Sequence, residues 1–293
     1  MTPSTAKKRT QLLNFIEQEL KGESAVKAVI GLGSIATGLA RPDSDIDAVI
    51  FLDPLDLYIV PAEFRWRPSD RTFHSIFSKE PGLEAASIQF DFTRLDLAQW
   101  QEKTFEWAEP WRAELADGWI AFDRTGEVSD LIRERTVYRE SSRIERLDEA
   151  ITWLDQHLKW QDPRECWNTL GPAIAHDRLN AAYEYLSQAL FAYNRRWRPW
   201  RNREMSYLVK LPWLPDNFPE LALSAINAPS PEYEGYLKRM DALRDLFGAL
   251  MQRLRDDGDY EQDVTTQAFI RSNNEPGRAW NMDEWNERHR SRK

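Results

Sequence analysis

Ile30-Gly31-Leu32-Gly33-Ser34, followed after a short connection by Asp45-Ile46-Asp47-Ala48-Val49-Ile50-Phe51-Leu52, is the stretch whose reading decides the fold. The second block starts as a period-two alternation and ends as a continuous apolar run, the pattern of a strand in the middle of a sheet. Side chains two apart on a strand share a face, so Asp45 and Asp47 point together while Ile46 turns into the core. The residues from Val26 to Leu32 are rich in Val and Ile and read as a preceding strand that ends at Gly33-Ser34. Between the two strands, Gly38, Pro42 and Asp43 supply turn chemistry.

Further strands flank this pair. In Ile88 to Leu95, the residues Ile88, Phe90 and Phe92 face one side, and Gln89, Asp91 and Thr93 the other. Trp119 to Asp123 reads as a short strand, with Arg124-Thr125-Gly126 as the turn after it. Leu12, Leu13, Ile16 and Leu20 recur at helical spacing before Gly22, and Leu97 to Leu115 suggests a helix interrupted near Pro110. Pro54 to Gly82 is ambiguous, and its Arg65, Arg67, Pro68 and Asp70 read as an exposed connection. After about Ser129 the apolar period changes to three and four. Ile144 to Leu158, Ile174 to Tyr193 and Tyr236 to Leu254 read as helices, and Leu211 to Pro231 as a Pro-rich connection. The expected fold class is therefore α/β (α+β). A mixed sheet with flanking helices occupies residues 1–128, a helical bundle residues 129–270, and a polar tail residues 271–293, where Trp280 and Trp285 could dock back.

Composition narrows the function classes. The chain has 293 residues, 42% of them apolar, which is ample for a core. Its net charge of −9, from 39 basic and 48 acidic residues, gives no long-range pull on nucleic acid or on anionic membranes. Cys166 is the single cysteine, so an internal disulfide is impossible. Met1 to Lys8 lacks the apolar core of a signal peptide, and no apolar run is long enough to span a bilayer. These features lead one to expect a cytoplasmic protein with no membrane role.

The chemistry follows from what the motif can hold. Phosphoryl transfer requires a polyphosphate to be gripped, its charge neutralised and an acceptor oxygen aligned. Mg²⁺ takes oxygen ligands in octahedral geometry, which Asp45 and Asp47 can supply from one face. Asp91, on the polar face of its own strand, suits the place of a third carboxylate that would complete a two-ion clamp. Glycine at position 33 lets the backbone approach a phosphate, while Ser34 offers a hydroxyl and the N–H groups that follow could form an anion site. A lone Gly-Ser or a lone Asp-x-Asp is common in turns; their order and strand context are what carry the reading.

Gly33-Ser34 followed by Asp45-Ile46-Asp47 resembles the signature of the DNA polymerase beta-like nucleotidyltransferase superfamily. Ile30-Gly31-Leu32, Ser44 and Val49-Ile50-Phe51 agree with it, and Gly118 to Gly126 resembles the late strand and turn of the small bacterial branch that includes aminoglycoside and lincosamide nucleotidyltransferases. The resemblance covers roughly residues 26–126. It implies Asp45, Asp47 and Asp91 as Mg²⁺ ligands and catalytic carboxylates, with position 91 varying in that superfamily between ligand and general base. It implies Gly33 and Ser34 as the phosphate turn, and ATP or another nucleoside triphosphate as co-substrate. The acceptor would be a hydroxyl compound, a small molecule such as an antibiotic in preference to tRNA or protein.

Weaker features remain open. Arg195, Arg196, Arg198, Arg201 and Arg203, with Trp197 and Trp200, form a basic cluster that could bind nucleotide or pair with nearby Glu. Arg195 and Arg196 are its candidate nucleotide contacts. His176-Asp177 and Glu184 are candidate bases. Glu102, Glu106 and Glu109, with Trp107 and Trp111, could wall a pocket for a cationic antibiotic if Glu102 and Glu106 share a helix face. A toxin-like enzyme acting on tRNA or protein, and a nucleotide-binding regulator or antitoxin without turnover, are the competing readings.

Overall fold

A computed structural model describes residues 1–159, 162–273 and 282–290, and the chain divides into compact units at Val137/Tyr138. The first unit runs α1 (Pro3–Phe15), a π-helical turn (Ile16–Leu20), β1 (Val26–Gly31), α2 (Gly33–Thr37), β2 (Ile46–Leu52), β3 (Glu63–Arg67), β4 (Thr72–His74), α3 (Leu83–Ala86), β5 (Ile88–Asp96), α4 (Leu97–Gln101), α5 (Glu109–Ala116), β6 (Trp119–Asp123) and α6 (Glu127–Arg135). The division falls later than residue 128 because α6 buries Val128 and Ile132 in the core of the first unit.

The strands form one six-stranded sheet in the order β4-β3-β5-β2-β1-β6. The β2–β5 pair is parallel, and the other pairs are antiparallel. Alternation along the strands gives the sheet two apolar faces. Ile46, Ala48 and Ile50 join Phe64, Trp66, Phe90 and Phe92 on one face, covered by Leu12 and Phe15 of α1 and by Ile16 and Leu20 of the π turn. Val49, Phe51 and Leu95 occupy the other face, under Leu97, Trp100, Trp107, Leu115, Val128 and Ile132. Burial on both faces explains why the second half of β2 reads as an unbroken apolar run.

Three sequence expectations change here. The Pro54–Gly82 stretch holds the β3–β4 hairpin, in which Glu63-Phe64-Arg65-Trp66-Arg67 alternates about a buried Phe64 and Trp66. The helix expected over Leu97–Leu115 is two helices, because Pro110 sits in the first turn of α5, where a missing N–H costs nothing, rather than breaking a longer one. The connection expected over Leu211–Pro231 contains α11, described below.

The second unit is helical: α7 (Glu140–Leu158), α8 (Pro163–Leu170), α9 (Pro172–Tyr193), α10 (Arg201–Leu208), α11 (Phe218–Ile226), α12 (Tyr233–Asp256), α13 (Val264–Ser272) and α14 (Met282–His289). Leu147, Ile151, Leu154, Leu179, Leu186, Leu190, Leu243 and Leu250, from α7, α9 and α12, meet in its core. Among the described residues no helix is long and apolar enough to cross a membrane. The polar tail expected over 271–293 begins inside α13. Trp280 and the side chain of Trp285, expected to dock back, lie outside the described residues.

Candidate active site

Asp47 and Asp91 are register partners across the parallel β2–β5 pair, and Asp91 is also the partner of Glu63 across the antiparallel β3–β5 pair. Paired residues share a face, so three neighbouring strands carry one row of carboxylates, Glu63, Asp91 and Asp47. The row lies on the face that bears Val49, Phe51 and Leu95 further along the strands. Asp45 lies immediately before β2 and is half-buried. Burial, then Glu63, then Asp45 push the Asp91 carboxyl above its ordinary value. Glu63 was missed from sequence because its strand was missed; the alternation from Glu63 to Arg67 was the available signal.

The Gly33-Ser34 turn sits beside this row. The Leu32 N–H donates to the Asp47 carbonyl at 2.9 Å, continuing the β1–β2 pairing to the turn itself. Gly33 takes a φ of 53°, a left-handed backbone that favours glycine, and opens the five-residue helix α2. The guanidinium of Arg9 in α1 holds the turn from behind, its Nε donating to the Ile35 carbonyl at 2.8 Å and its Nη2 to that of Ala36 at 2.9 Å.

The start of α1 also fixes the connection that delivers Asp45. The Thr2 N–H donates to the Gly38 carbonyl, the Ala40 N–H donates to Thr5 Oγ1, both at 3.0 Å, and the Lys8 ammonium donates to the Ser44 carbonyl. Burial pulls the pKa of Lys8 down, opposed by the charge of Asp45. A cavity of about 500 Å³ opens at this rim. Its lining includes Asp45, Ser44, Lys7, Lys8, Arg65 and Gln89.

The donor set suits a hard divalent cation: it is all oxygen, and its members repel one another. Among the described residues no group of three His, Cys, Asp or Glu side chains already stands ready to hold a metal ion. What the backbone fixes is the register that sets Asp47 beside Asp91.

The other sequence candidates sit elsewhere. Arg195 pairs with Glu140 at 3.1 Å, and Arg196 is exposed at the end of α9, its main-chain N–H donating to the Phe191 carbonyl. Arg198 and Arg201 both pair with Glu184 and with the buried Glu204, an ion-pair cluster internal to the helical unit. His176 Nδ1 lies 3.1 Å from the Arg239 guanidinium and its Nε2 lies 3.2 Å from the Pro231 carbonyl, which commits the ring to α12 and the segment before it. Glu102 and Glu106 do not share a helix face, because residues 102–108 join α4 to α5; Trp107 is buried there, and Glu106 pairs with Arg112. Asp96, beyond the row, caps α4 by accepting from the Ala98 N–H at 3.1 Å. Asp56 accepts from the Tyr58 N–H in a loop.

Residues 10–105, which carry the turn, Asp45, Asp47, Glu63 and Asp91, match the sequence family described as nucleotidyltransferase domain. The chain is also similar to the crystal structure of a nucleotidyltransferase-like protein from Exiguobacterium sibiricum 255-15, with a TM-score of 0.42 and 14% identity, covering 85% of this chain and 77% of that one. No curated protein matches it.

The crowding at Asp91 has a measurable consequence. Its raised pKa means that the folded chain holds this proton more tightly than the unfolded chain. Stability from the group is fully present below the ordinary carboxylate pKa and is lost as pH rises through the raised value. At pH 7, without divalent metal, Asp91→Asn is therefore expected to stabilise the protein by roughly 0.5 kcal/mol after allowance for solvent screening. This should appear as a Tm about 1–2 °C higher. The gain should shrink at pH 4. Thermal unfolding of both proteins at the two pH values checks this, and a lower Tm for the variant at pH 7 would argue against repulsion in the row.

Proposed function

We propose that this protein is a Mg²⁺-dependent nucleotidyltransferase that moves AMP from ATP to a hydroxyl of a small molecule and releases pyrophosphate. The observation that carries the reading is the register of Asp47 against Asp91, beside a glycine-serine turn bonded to the Asp47 carbonyl. Asp45, Asp47 and Asp91 supply oxygen ligands for the ion. Bound there, magnesium would neutralise charge that develops on the α-phosphate and the leaving pyrophosphate.

The chain's own groups do the rest. The first N–H groups of α2 have no acceptor within the helix, and with the Ser34 hydroxyl they are the groups suited to the polyphosphate. The acceptor oxygen attacks the α-phosphorus, forming one P–O bond as the bond to the β-phosphate oxygen breaks. Asp91, register partner of Asp47, takes the hydroxyl proton where Asp45 and Asp47 alone hold the ion. A small-molecule acceptor is favoured over tRNA or protein by the cavity at Asp45, whose volume is that of a small-ligand site.

The test is release of labelled pyrophosphate and transfer of α-phosphate label with Mg²⁺, across aminoglycosides, lincosamides, small phosphorylated hydroxyl compounds, tRNA and candidate proteins. Label on a small acceptor, with one pyrophosphate released per transfer, is the expected result. Transfer of γ-phosphate label would overturn it. Mg²⁺-dependent ATP binding with no pyrophosphate release from any acceptor would favour the regulator reading.

A further inference from the structure

The cavity beside Asp45 sits on the opposite side of the acidic strand from the polyphosphate turn. Gly33 and Ser34 follow β1, which pairs with one edge of β2. The cavity is built from the rim of β5, from β3, from the start of α1 and from the connection before β2, and neither turn residue lines it. A transfer reaction brings two molecules to the metal-binding carboxylates. With polyphosphate at the turn, the cavity is left for the acceptor.

Its charges are informative. Lys7, Lys8 and Arg65 line it, against Asp43, Asp45 and Glu84. Asp45 belongs to the metal-binding set. Asp43 pairs with Arg41 in an exposed contact, which is worth little. Glu84 reaches Arg65 only at 3.9 Å, with its side chain 89% exposed, while that of Arg65 is 17% exposed. Arg65 shares a face with Glu63, two residues earlier on β3, so its guanidinium emerges beside the carboxylate row. A ligand entering here would meet three positive side chains, of which Lys8 and Arg65 are partly withdrawn from water, against Asp45 and the exposed Asp43 and Glu84. An anionic one would pair with the positive side chains, and Arg and Lys bond phosphate and carboxylate strongly where water is reduced.

Resting on the transferase reading, we infer that the acceptor is a small hydroxyl compound that carries an anionic group, a phosphate monoester or a carboxylate, held by Arg65 and Lys7 with its hydroxyl toward Asp45, through which the cavity meets the carboxylate set. Lys8 contributes charge and also tethers Ser44, so variants at the other two positions test the inference without disturbing the loop of Asp45.

The experiment is isothermal titration of the full chain, with Mg²⁺ and a non-hydrolysable ATP analogue present. Glycerol 3-phosphate and glycerate represent the two anionic chemistries, glycerol the neutral one and kanamycin the cationic one. Binding of one or both anions is expected, with neither glycerol nor kanamycin bound. Lys7→Gln combined with Arg65→Gln should weaken the anion by tenfold or more, and the single variants should each weaken it by less. Failure of both anions to bind, unchanged affinity in the double variant, or preferential binding of kanamycin overturns the inference. A similar loss of affinity for the ATP analogue in the double variant also overturns it, since the cavity would then belong to the triphosphate. Titration of Asp47→Ala with the analogue separates the two claims. Mg²⁺-dependent nucleotide binding that Asp47→Ala leaves intact counts against the transferase reading, whatever the anions do.

Discussion

Asp47→Ala is expected to lose a thousandfold or more of nucleotidyl transfer while the chain stays folded. Asp47 joins the two parts of the acidic arrangement: it follows Asp45 by two residues and is register partner of Asp91. Charge neutralisation by a metal ion at a phosphoryl centre contributes several kcal/mol, and about 4 kcal/mol corresponds to a thousandfold in rate. The fold should survive the change. The side chain is only half-buried, and the bond that joins β2 to the Gly33-Ser34 turn uses the residue 47 carbonyl, which alanine retains. Pyrophosphate release by the variant, compared with Asp130→Ala on the exposed face of α6, is the measurement, with far-UV circular dichroism to establish folding. Turnover within tenfold of the unaltered protein would remove Asp47 from the chemistry.

The strands of the site were legible in sequence to unequal degrees, and the reason is where their side chains go. β2 and β5 could be read because each places residues of opposite character on opposite faces: Asp47 against Ile46, Asp91 against Phe90 and Phe92. The phase of that alternation put Asp91 on the polar face before any pairing was known. The pairing itself was not legible, since a parallel neighbour is joined through intervening strands and helices and nothing local specifies its register. Glu63 and Arg65 stayed hidden because charge dominates β3, so its buried Phe64 and Trp66 read as isolated aromatics in a connection. α11 was concealed in the same way by its own Pro219, although a proline in the first turn opens a helix as readily as proline elsewhere ends one. The Arg195–Arg203 cluster shows the other limit. Sequence reveals guanidinium groups, but whether they meet phosphate or Glu184 and Glu204 depends on how the turn between α9 and α10 folds back on those helices.

Behind the carboxylate row, on the opposite face of the sheet, Phe15→Ala is expected to be the most destabilising single change in the first unit. The Phe15 ring is fully buried. Its centroid lies 4.7 Å from Phe90, 5.1 Å from Trp66, and 5.6 Å from both Phe64 and Phe92. Truncation would leave a cavity lined by flat, stiff rings that cannot close over it, which places the cost at about 3–5 kcal/mol. That is a large share of the ~5–15 kcal/mol that holds a folded protein together. Phe15→Leu keeps most of the volume and should cost less than about 1.5 kcal/mol. Amide hydrogen exchange in β2 and β5 is the informative measurement, because separate compact units need not unfold in a single step. Phe90 and Phe92 bracket Asp91 in the chain, so a ring lost beneath them frees the strand that carries it. Phe15→Ala should thus speed exchange at Asp91 and weaken Mg²⁺-dependent nucleotide binding together, whereas Asp47→Ala should weaken binding and leave exchange in β5 slow. If Phe15→Ala left exchange in β5 unchanged, the aromatic cluster would not be what holds the acidic row in register.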